Sequence, residues 1–381
     1  MFRQRYLFPF MQTDLGTRKM VFIGGPRQVG KTTLSQSLIG PGTNETHEAY
    51  LNWDDPASRK LFLRGQLPGQ FPCYVLDEIH KFKNWRAMVK GFYDKRKSVT
   101  QFIVTGSARL DYYRKGGDSL LGRYHYYRLH PYSLGEADSK FQPETLHKLL
   151  EFGGFPEPFF HGDSTFTRRW QKERVSRIVD EDVRDLENIK ELSLIELLAD
   201  ALPSRVGAPL SIKNLREDLA SSHEAVERWV TILERMYYAF RIPPFGSPKI
   251  RAVKKEQKLY LWDWSEVEEP SFRFENLVAS QLLKWCHFMD DTQGHRMELR
   301  FIRDTDKREI DFVVIKDKKP VFAVECKTGE KVASSAAHYF RARTSIPKFY
   351  QVHLGTADFG NADTDVRVLP FTTFCRDLRM P

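Results

Sequence analysis

Residues 25–32 read Gly-Pro-Arg-Gln-Val-Gly-Lys-Thr and lie between an apolar run and a run of helix-forming residues. The apolar run, residues 20–23, predicts a buried strand, and residues 33–39 predict the helix that follows the loop. The glycines let the backbone curl so that successive N–H groups point at one anion, where the helix N-terminus adds partial positive charge. A lysine that reaches the β- and γ-phosphates and a threonine that ligates Mg²⁺ complete this pattern. The segment is therefore predicted to bind ATP with Mg²⁺ through Gly25, Pro26, Arg27, Gln28, Val29, Gly30, Lys31, Thr32 and Thr33, with Thr32 as a metal ligand.

A second apolar strand, residues 71–76, ends in the carboxylates Asp77 and Glu78. In a P-loop enzyme the first acid belongs to the Mg²⁺ shell and the second polarises the attacking water. At this distance after a phosphate-binding loop the pattern is specific. Asp77 is therefore predicted to bind the nucleotide and its metal, and Glu78 is predicted to be catalytic.

A third apolar strand, residues 101–105, predicts the sensor of the γ-phosphate at its end. Thr105 and Ser107 are both candidates, and their spacing does not choose between them. Hydroxyls that cap the following turn would show the same pattern. Arg109 and Arg123 are candidates for the cation that neutralises transition-state charge, in cis or from a neighbouring subunit, and Arg123 is favoured.

Short strands alternate with helices through about residue 135, which predicts a parallel α/β sheet flanked by helices. Several motifs together resemble those of the prokaryotic AAA-type ATPases of the GPRQVGKT group: Gly24-Gly25-Pro-Arg-Gln-Val-Gly-Lys-Thr-Thr, Leu51-Asn-Trp-Asp-Asp, Leu76-Asp-Glu-Ile-His, Val104-Thr-Gly-Ser, Leu121-Gly-Arg, Pro131-Tyr-Ser-Leu-Gly-Glu136 and Gly153-Gly-Phe-Pro-Glu157. The resemblance implies an ATPase domain followed by a helical lid, a winged helix and a C-terminal domain. Ala108 departs from the pattern, where a second small hydroxyl residue is expected.

The middle of the chain is helical in pattern. The charged run Arg168–Arg174 is interpreted as a solvated helix face. Further along, Ser211 and the pair Ser221-Ser222 precede two helical segments and are predicted N-caps. A strand-like run, residues 237–242, follows them, so residues 191–262 are predicted to form a winged helix-turn-helix. Five basic residues after its hairpin tip favour a non-specific phosphate contact: Lys249, Arg251, Lys254, Lys255 and Lys258. A structural spacer and a protein-binding winged helix are the alternatives.

Two apolar strands near the C-terminus carry Asp311 on the first and Glu325 and Lys327 on the second. Side chains alternate along a strand, so Glu325 and Lys327 face the same side. Asp311 and Glu325, helped by the carbonyl of Cys326, are predicted to hold Mg²⁺ or Mn²⁺. Lys327 is predicted to orient or deprotonate a metal-activated water aimed at a phosphodiester.

An amphipathic helix upstream of these strands begins near Glu275, which is predicted to support the metal site. The order of helix, hairpin and Glu-x-Lys resembles the PD-(D/E)xK restriction-endonuclease-like superfamily. The resemblance implies that Glu275, Asp311, Glu325 and Lys327 are catalytic. The competing interpretation is a nuclease-like domain that has lost its activity and keeps the fold as a platform that binds a partner or DNA.

The predicted fold class is therefore α/β. The chain is divided into a P-loop AAA-type core over 1–138, a helical lid over 139–190, a winged helix over 191–262 and a nuclease-like domain over 263–381. A formal charge of +9 suggests a polyanionic partner. The sequence shows no apolar stretch near 20 residues, no secretory leader and four widely spaced cysteines, which predicts a cytoplasmic protein without a membrane partner.

The resulting functional prediction is an ATPase coupled to a metal-dependent nuclease that acts on nucleic acid, DNA rather than RNA. A trans-acting Arg123 would require a homo-oligomer. The alternative is an ATP-driven molecular switch whose inactive nuclease-like domain only binds a partner or DNA.

Overall fold

The computed structural model describes residues 4–106, 120–183, 191–246, 256–360 and 366–381. The chain divides into two compact units, residues 1–130 and 131–381. Seven of the residues singled out in the sequence lie outside the described ranges: Ser107, Ala108, Arg109, Lys249, Arg251, Lys254 and Lys255. None of the helices in the described ranges is both long enough and apolar enough to cross a membrane.

The first unit is built on a five-stranded sheet in which every neighbouring pair is parallel. In spatial order its strands are β2 (Tyr50–Asn52), β3 (Cys73–Asp77), β4 (Gln101–Thr105), β1 (Met20–Gly24) and β5 (Tyr124–Arg128). Its helices are α1 (Phe8–Gly16), α2 (Lys31–Ile39), α3 (Pro56–Leu63) and α4 (Trp85–Arg96). The sheet confirms the predicted parallel α/β architecture.

The central strands of this sheet are apolar on both faces, as parallel strands covered by helices must be. All five residues of β1 and of β3 are buried, and four of the five in β4 are buried. Because β4 lies between β1 and β3, the segments that follow these three strands meet at one edge of the sheet. That edge is where ligands bind in open α/β sheets.

The second unit begins with helices. These are α5 (Leu134–Ala137), α6 (Pro143–Phe152), α7 (Pro156–His161), α8 (Ser164–Arg177) with a π-helical continuation (Ile178–Val183), α9 (Leu192–Ala201), α10 (Ile212–Asp218) and α11 (His223–Arg235). The side chain of Ser211 accepts the N–H of Asn214, and that of Ser222 accepts the N–H of Ala225. Both serines therefore cap the starts of α10 and α11 as predicted. An antiparallel pair follows, β6 (Ala239–Ile242) with β7 (Lys258–Leu261).

The rest of the second unit packs the long helix α12 (Pro270–Gln293) on a five-stranded mixed sheet. In spatial order the strands are β12 (Val366–Pro370), β11 (Phe349–His353), β10 (Lys319–Cys326), β9 (Glu309–Lys316) and β8 (Met297–Arg303), accompanied by α13 (Ser335–Arg343) and α14 (Phe371–Asp377). The strand β9 is antiparallel to both of its neighbours, β8 and β10, whereas β10, β11 and β12 are parallel. Val324 pairs with Phe312, which puts Asp311 and Glu325 at the next position along the hairpin.

The charged run on α8 is not uniformly solvated, because Arg174 is buried. Its guanidinium donates to Glu266 Oε1 at 3.1 Å and to the Tyr237 carbonyl at 3.0 Å, and it lies over the ring of Phe155. The interpretation of this run as a solvated face is therefore wrong for Arg174. The Arg174 side chain links α8 to the segments that flank the β6–β7 pair.

Two motifs of the family resemblance have structural roles in the second unit. Gly153 has a φ of 73°, and a Cβ there would overlap the carboxylate of Asp263. The ammonium of Lys284 on α12 donates to the Pro131 carbonyl, to Ser133 Oγ and to Glu136 Oε2, at 3.1, 2.8 and 2.6 Å. The motif of residues 131–136 therefore anchors the long helix.

Candidate functional site

The loop between β1 and α2 has the backbone of an anion-binding turn. Gly25 and Gly30 have φ angles of 140° and 96°, and Gln28 has a φ of 60°. Glycine is required at position 25 because a Cβ would overlap the carbonyl oxygen of Leu129 on the segment after β5. The loop therefore presents backbone N–H groups at the start of a helix, where an anion is favoured by both hydrogen bonds and the helix dipole.

Lys31 and Thr32 open α2 at the end of this loop. The Lys31 side chain is buried, and its ammonium donates to the carbonyls of Gly25 and Pro26 at 3.0 and 2.7 Å. These contacts hold the ammonium against the loop that would carry the phosphates. Thr32 Oγ1 donates to Asp77 Oδ2 at 3.0 Å, so the ends of β1 and β3 meet at these two side chains.

The carboxylate of Asp77 is buried and accepts hydrogen bonds from hydroxyl groups on three elements. Besides Thr32, the Tyr50 hydroxyl on β2 donates to Oδ2 at 2.5 Å, and the Thr105 hydroxyl at the end of β4 donates to Oδ1. Of the two predicted sensors, Thr105 thus lies beside the acid, whereas Ser107 is outside the described residues. Burial, followed by the charge of Asp77, raises the pKa of Tyr50 well above its ordinary value, so the phenol stays a donor.

Glu78 follows Asp77 in a left-handed backbone conformation, with a φ of 52°. Its N–H donates to Asp77 Oδ1 and to the Thr105 carbonyl, at 3.0 and 3.1 Å. Burial, and then the neighbouring charge of Asp77, raises the pKa of the Glu78 carboxyl to about 7. Left-handed non-glycine residues are rare and concentrate at functional sites. A carboxyl with a pKa near neutrality suits a general base.

His80 and Gly106 close the space next to Glu78. His80 Nε2 lies 3.5 Å from Glu78 Oε2, and the imidazole is buried. A Cβ at Gly106, directly after Thr105, would overlap the His80 ring. The glycine at this position therefore gives the histidine its place beside the predicted base.

Arg5 is buried next to the phosphate loop, and the sequence patterns did not indicate this position. Its guanidinium donates to the carbonyls of Val29 and His130, each at 2.5 Å, and the neighbouring Tyr6 hydroxyl donates to the Arg128 carbonyl at 2.9 Å. The segment before α1 thus braces the phosphate loop against the end of β5. No local motif marks this arginine, because both acceptors are distant in sequence.

Arg123 lies at the opposite edge of the sheet from the phosphate loop. Since Met20 pairs with Tyr124 and Gly24 with Arg128, Arg123 precedes β5 near the start of β1, roughly 13 Å of strand away from the loop. Its Nε is 3.1 Å from Asp94 Oδ1. This position does not support the predicted cis role of Arg123. Its role in a neighbouring subunit stays a prediction.

In the second unit, the four residues predicted from the nuclease-like pattern lie in one region. Glu275 is in the second turn of α12, Asp311 is on β9, and Glu325 is on β10 with Lys327 just after it. The N–H of Cys326 donates to Asp311 Oδ2 at 2.8 Å, which links the two strands at this point. The expected juxtaposition is present, and it has partners that the sequence pattern did not indicate.

Lys258, on β7, is the first of these partners. The side chain is 0 % exposed, and its ammonium contacts three carboxylates: Glu275 at 3.0 Å, Asp311 at 3.3 Å and Glu309. Burial alone would lower the pKa of Lys258, but the three carboxylates outweigh it and raise the pKa above its ordinary value. The prediction that Lys258 belongs to an exposed basic wing is therefore wrong.

The carboxylates of this region are paired with protein groups. Burial and then Asp311 raise the pKa of Glu275 to about 7, while the Tyr260 hydroxyl donates to its Oε1 at 2.7 Å. Lys327 Nζ lies 2.7 Å from Glu325 Oε1, and the Ser334 hydroxyl donates to the other oxygen. The two charged residues of the Glu-x-Lys motif therefore form an ion pair with each other.

The two predicted metal sites differ in how well their side chains fit an ion. Mg²⁺ bound with a nucleotide takes most of its oxygens from phosphates and water and one or two from the protein. The Thr32 hydroxyl and the Asp77 carboxylate fit that requirement. In contrast, Asp311 and Glu325 are each already paired with a lysine. Within the described ranges no group of three or more His, Cys, Asp or Glu side chains is arranged to hold a metal ion.

Comparison with known protein families divides the chain into three matched segments. Residues 17–137 match a family described as an AAA domain. Residues 143–265 and 272–374 match two domains of unknown function, DUF8612 and DUF4143.

Two mycobacterial proteins are similar to this chain, the uncharacterized proteins Mb2031c of Mycobacterium bovis and Rv2008c of Mycobacterium tuberculosis. Each is 22% identical over 245 residues, which is 64% of this chain and 54% of the relative. The chain therefore spans about half the length of the curated relatives it matches.

Among solved structures, the Thermotoga maritima RuvB Holliday junction branch migration motor matches with 15% identity and a TM-score of 0.31, over 62% of this chain and 87% of that one. PCH-2 of C. elegans matches with 14% identity and a TM-score of 0.23, over 59% and 66%. The family match rests on the same segment that carries the phosphate loop, the Asp77 carboxylate and the parallel sheet. Residues 17–137, which contain the phosphate loop, are therefore similar to AAA domains.

Proposed function

We propose that the first unit binds ATP with Mg²⁺ on the loop of residues 25–33 and hydrolyses it. The single observation that carries this proposal is the contact of Thr32 with Asp77, because it joins the phosphate loop to the acid-bearing strand. Glu78 follows directly, with its pKa raised by burial and by Asp77 to about 7.

In this reaction each residue has a separate task. The backbone N–H groups of the loop and the Lys31 ammonium hold the phosphates, while Thr32 and Asp77 hold the ion. The bound Mg²⁺ neutralises charge on the β- and γ-phosphates. Glu78 accepts a proton from the attacking water as the water oxygen bonds to the γ-phosphorus and the bond to the bridging oxygen breaks, releasing ADP and phosphate. Thr105 reports on the γ-phosphate through its contact with Asp77.

Phosphate release and nucleotide binding test this assignment together. Lys31→Ala is expected to weaken ATP binding, because the loop loses the ammonium that reaches the β- and γ-phosphates. Glu78→Gln is expected to bind ATP normally and to lose about 10²- to 10⁴-fold in turnover, the usual contribution of a general base. Lys60→Ala, which removes an exposed lysine from α3, is the matched control. Wild-type turnover in Glu78→Gln would remove Glu78 from the mechanism.

Arg123 is proposed to act on the nucleotide of a neighbouring subunit in a homo-oligomer. The test is a mixture of Arg123→Ala and Glu78→Gln proteins, each inactive by itself. Recovered turnover in the mixture would support a shared site, because each partner supplies what the other lacks. Full activity of Arg123→Ala alone would end this proposal.

Residues 191–262 are proposed to contact nucleic acid, DNA rather than RNA. Support comes from the order of three helices and an antiparallel pair, which suits a winged helix, and from the formal charge of +9. On α11, Glu227 would repel a duplex, but Arg241 on β6 pairs with it at 2.7 Å and with Glu234 at 2.8 Å. A phosphate contact without sequence reading is the form of binding that this pattern favours.

Binding of labelled duplex DNA, single-stranded DNA and RNA across a range of salt concentrations tests this contact. Replacing Lys254 and Lys255 by Glu is expected to lower affinity for all sequences and to reduce the slope of log affinity against log salt by about 2. Unchanged binding in this variant would contradict the phosphate contact.

For the C-terminal sheet we favour the role of a platform that holds a partner or DNA, so that ATP turnover acts as a switch. The observation that favours this role over metal-dependent cleavage is the pairing of Lys258 with Glu275 and Asp311. Cleavage of labelled nucleic acids with Mg²⁺ or Mn²⁺, with and without ATP, decides between the two. Cleavage by the wild type that is lost in Lys327→Ala would establish the nuclease instead.

A further inference from the structure

We propose that Lys258 supplies, as a permanent part of the fold, the positive charge that a divalent metal ion supplies in a site of this ligand type. The carboxylate cluster, defined as Glu275, Glu309 and Asp311, would then be complete without metal. This inference goes beyond the proposed ATPase and does not depend on it.

The position of the ammonium is that of a central cation. Lys258 Nζ contacts one oxygen from each of three side chains, one on α12 and two on β9. Glu309 and Asp311 are two residues apart on β9 and therefore point to the same side of the sheet. Glu275 reaches the same point from the helix that packs on it. Carboxylate oxygens are the ligand type that a hard divalent ion prefers, but here they surround an ammonium.

The lysine has little freedom to leave this position. All four residues of β7 are buried, and Lys258 is bridged by backbone pairing to Pro209 on one side and to Ile242 on the other. The Phe301 ring lies 5.8 Å from the ammonium, and the Tyr260 hydroxyl, two residues along the same strand, donates to the same Glu275 oxygen. A metal ion entering the cluster would have to displace this buried ammonium from all three of its carboxylate partners.

The remaining carboxylate oxygens are also bound by protein groups. Asp311 accepts the Cys326 N–H with its second oxygen, and Glu309 accepts Arg303 at 2.7 Å with its second oxygen. The nearby Glu325 pairs with Lys327. Each of these four carboxylates therefore has a protein cation or donor, and the cluster joins the β6–β7 pair to the C-terminal sheet by an ionic bond.

Metal binding measured without nucleotide tests the inference directly. The parent protein carries Asp77→Asn, which removes the carboxylate of the nucleotide site, and Mn²⁺ is titrated while free Mn²⁺ is followed by electron paramagnetic resonance. Thermal unfolding is recorded with and without Mn²⁺. Lys258→Met is compared in the same background with Lys319→Met, which removes an exposed lysine at the start of β10.

The parent and Lys319→Met are expected to show no Mn²⁺ site at millimolar Mn²⁺ and no change in melting temperature. Lys258→Met is expected to melt at a lower temperature and to recover several degrees when Mn²⁺ enters the emptied position. Stoichiometric Mn²⁺ binding by the parent that is lost in Asp311→Asn would overturn the inference, even if Lys258→Met does not fold. A folded Lys258→Met protein that gains nothing from Mn²⁺ would overturn it as well.

Discussion

ATP turnover is expected to rise about tenfold between pH 6 and pH 8 because of the environment of Glu78. Burial and the charge of Asp77 raise the pKa of this carboxyl to about 7. A base works only when it is ionised. With that pKa, about one tenth of the molecules carry the ionised form at pH 6 and about nine tenths at pH 8. A carboxyl at the ordinary value of about 4.3 would be almost fully ionised throughout this range.

The assay is the turnover number at saturating ATP and Mg²⁺, measured by phosphate release at half-unit steps of pH. The residual rate of Glu78→Gln is measured in the same buffers. Because this variant lacks the titrating carboxyl, its pH dependence shows the contribution of all other groups, including ATP itself. Histidine side chains also titrate near neutrality. The profile of His80→Gln therefore shows whether the neighbouring imidazole sets the midpoint.

A wild-type turnover number that changes less than about twofold over this range, with Glu78→Gln inactive, would refute the reasoning. It would mean that Glu78 is ionised well below neutrality in the working enzyme, so that burial and the Asp77 charge do not control it. A tenfold rise that persists unchanged in Glu78→Gln would assign the titration to another group.

Two further variants test contacts inside each of the two units. Tyr50→Phe removes one hydroxyl from Asp77 and is expected to lower turnover by about 10- to 100-fold, as loss of a hydrogen bond to a charged group worth about 1.5–3 kcal/mol would do; Tyr74→Phe, which loses a hydroxyl contact to a loop carbonyl, is the control and should keep wild-type turnover. Arg174→Met breaks the buried pair with Glu266 and is expected to cost about 3–5 kcal/mol in the free energy of unfolding of the second unit, measured by urea denaturation; a loss below about 1 kcal/mol would contradict the burial argument.

The loop and acid pair of the proposed phosphate site can be located in the sequence because the information for them is local. The loop is one contiguous segment, and its backbone requires glycine at two fixed positions. The acid pair, Asp77 and Glu78, is recognisable because it follows directly on an apolar strand. These features need no knowledge of the tertiary structure, so the sequence alone places Lys31, Thr32, Asp77 and Glu78.

Tyr50 and Arg5 could not be predicted in the same way. Tyr50 reaches Asp77 only because β2 pairs with β3 in a register that sets Asn52 against Asp77. Arg5 reaches the loop from a segment before α1 and also binds a carbonyl beyond β5. Strand register and the path of a terminal segment are tertiary properties. A tyrosine opening a short strand next to the acid-bearing one is the signal that could have drawn attention to Tyr50.

The C-terminal cluster shows how far a motif of acids and a lysine can be interpreted. The pattern correctly places Glu275, Asp311, Glu325 and Lys327 together, because helix–sheet packing and strand alternation follow from apolar periodicity. It does not determine which cation balances them. That charge comes from Lys258, which the sequence groups with four other basic residues in a stretch typical of an exposed surface. Its position at the start of the apolar run Leu259–Leu261, with Tyr260 on the same face, is the signal for burial. Because a buried ammonium and a divalent ion compete for the same oxygens, that one side chain decides whether the acids below it bind metal or simply hold the fold together.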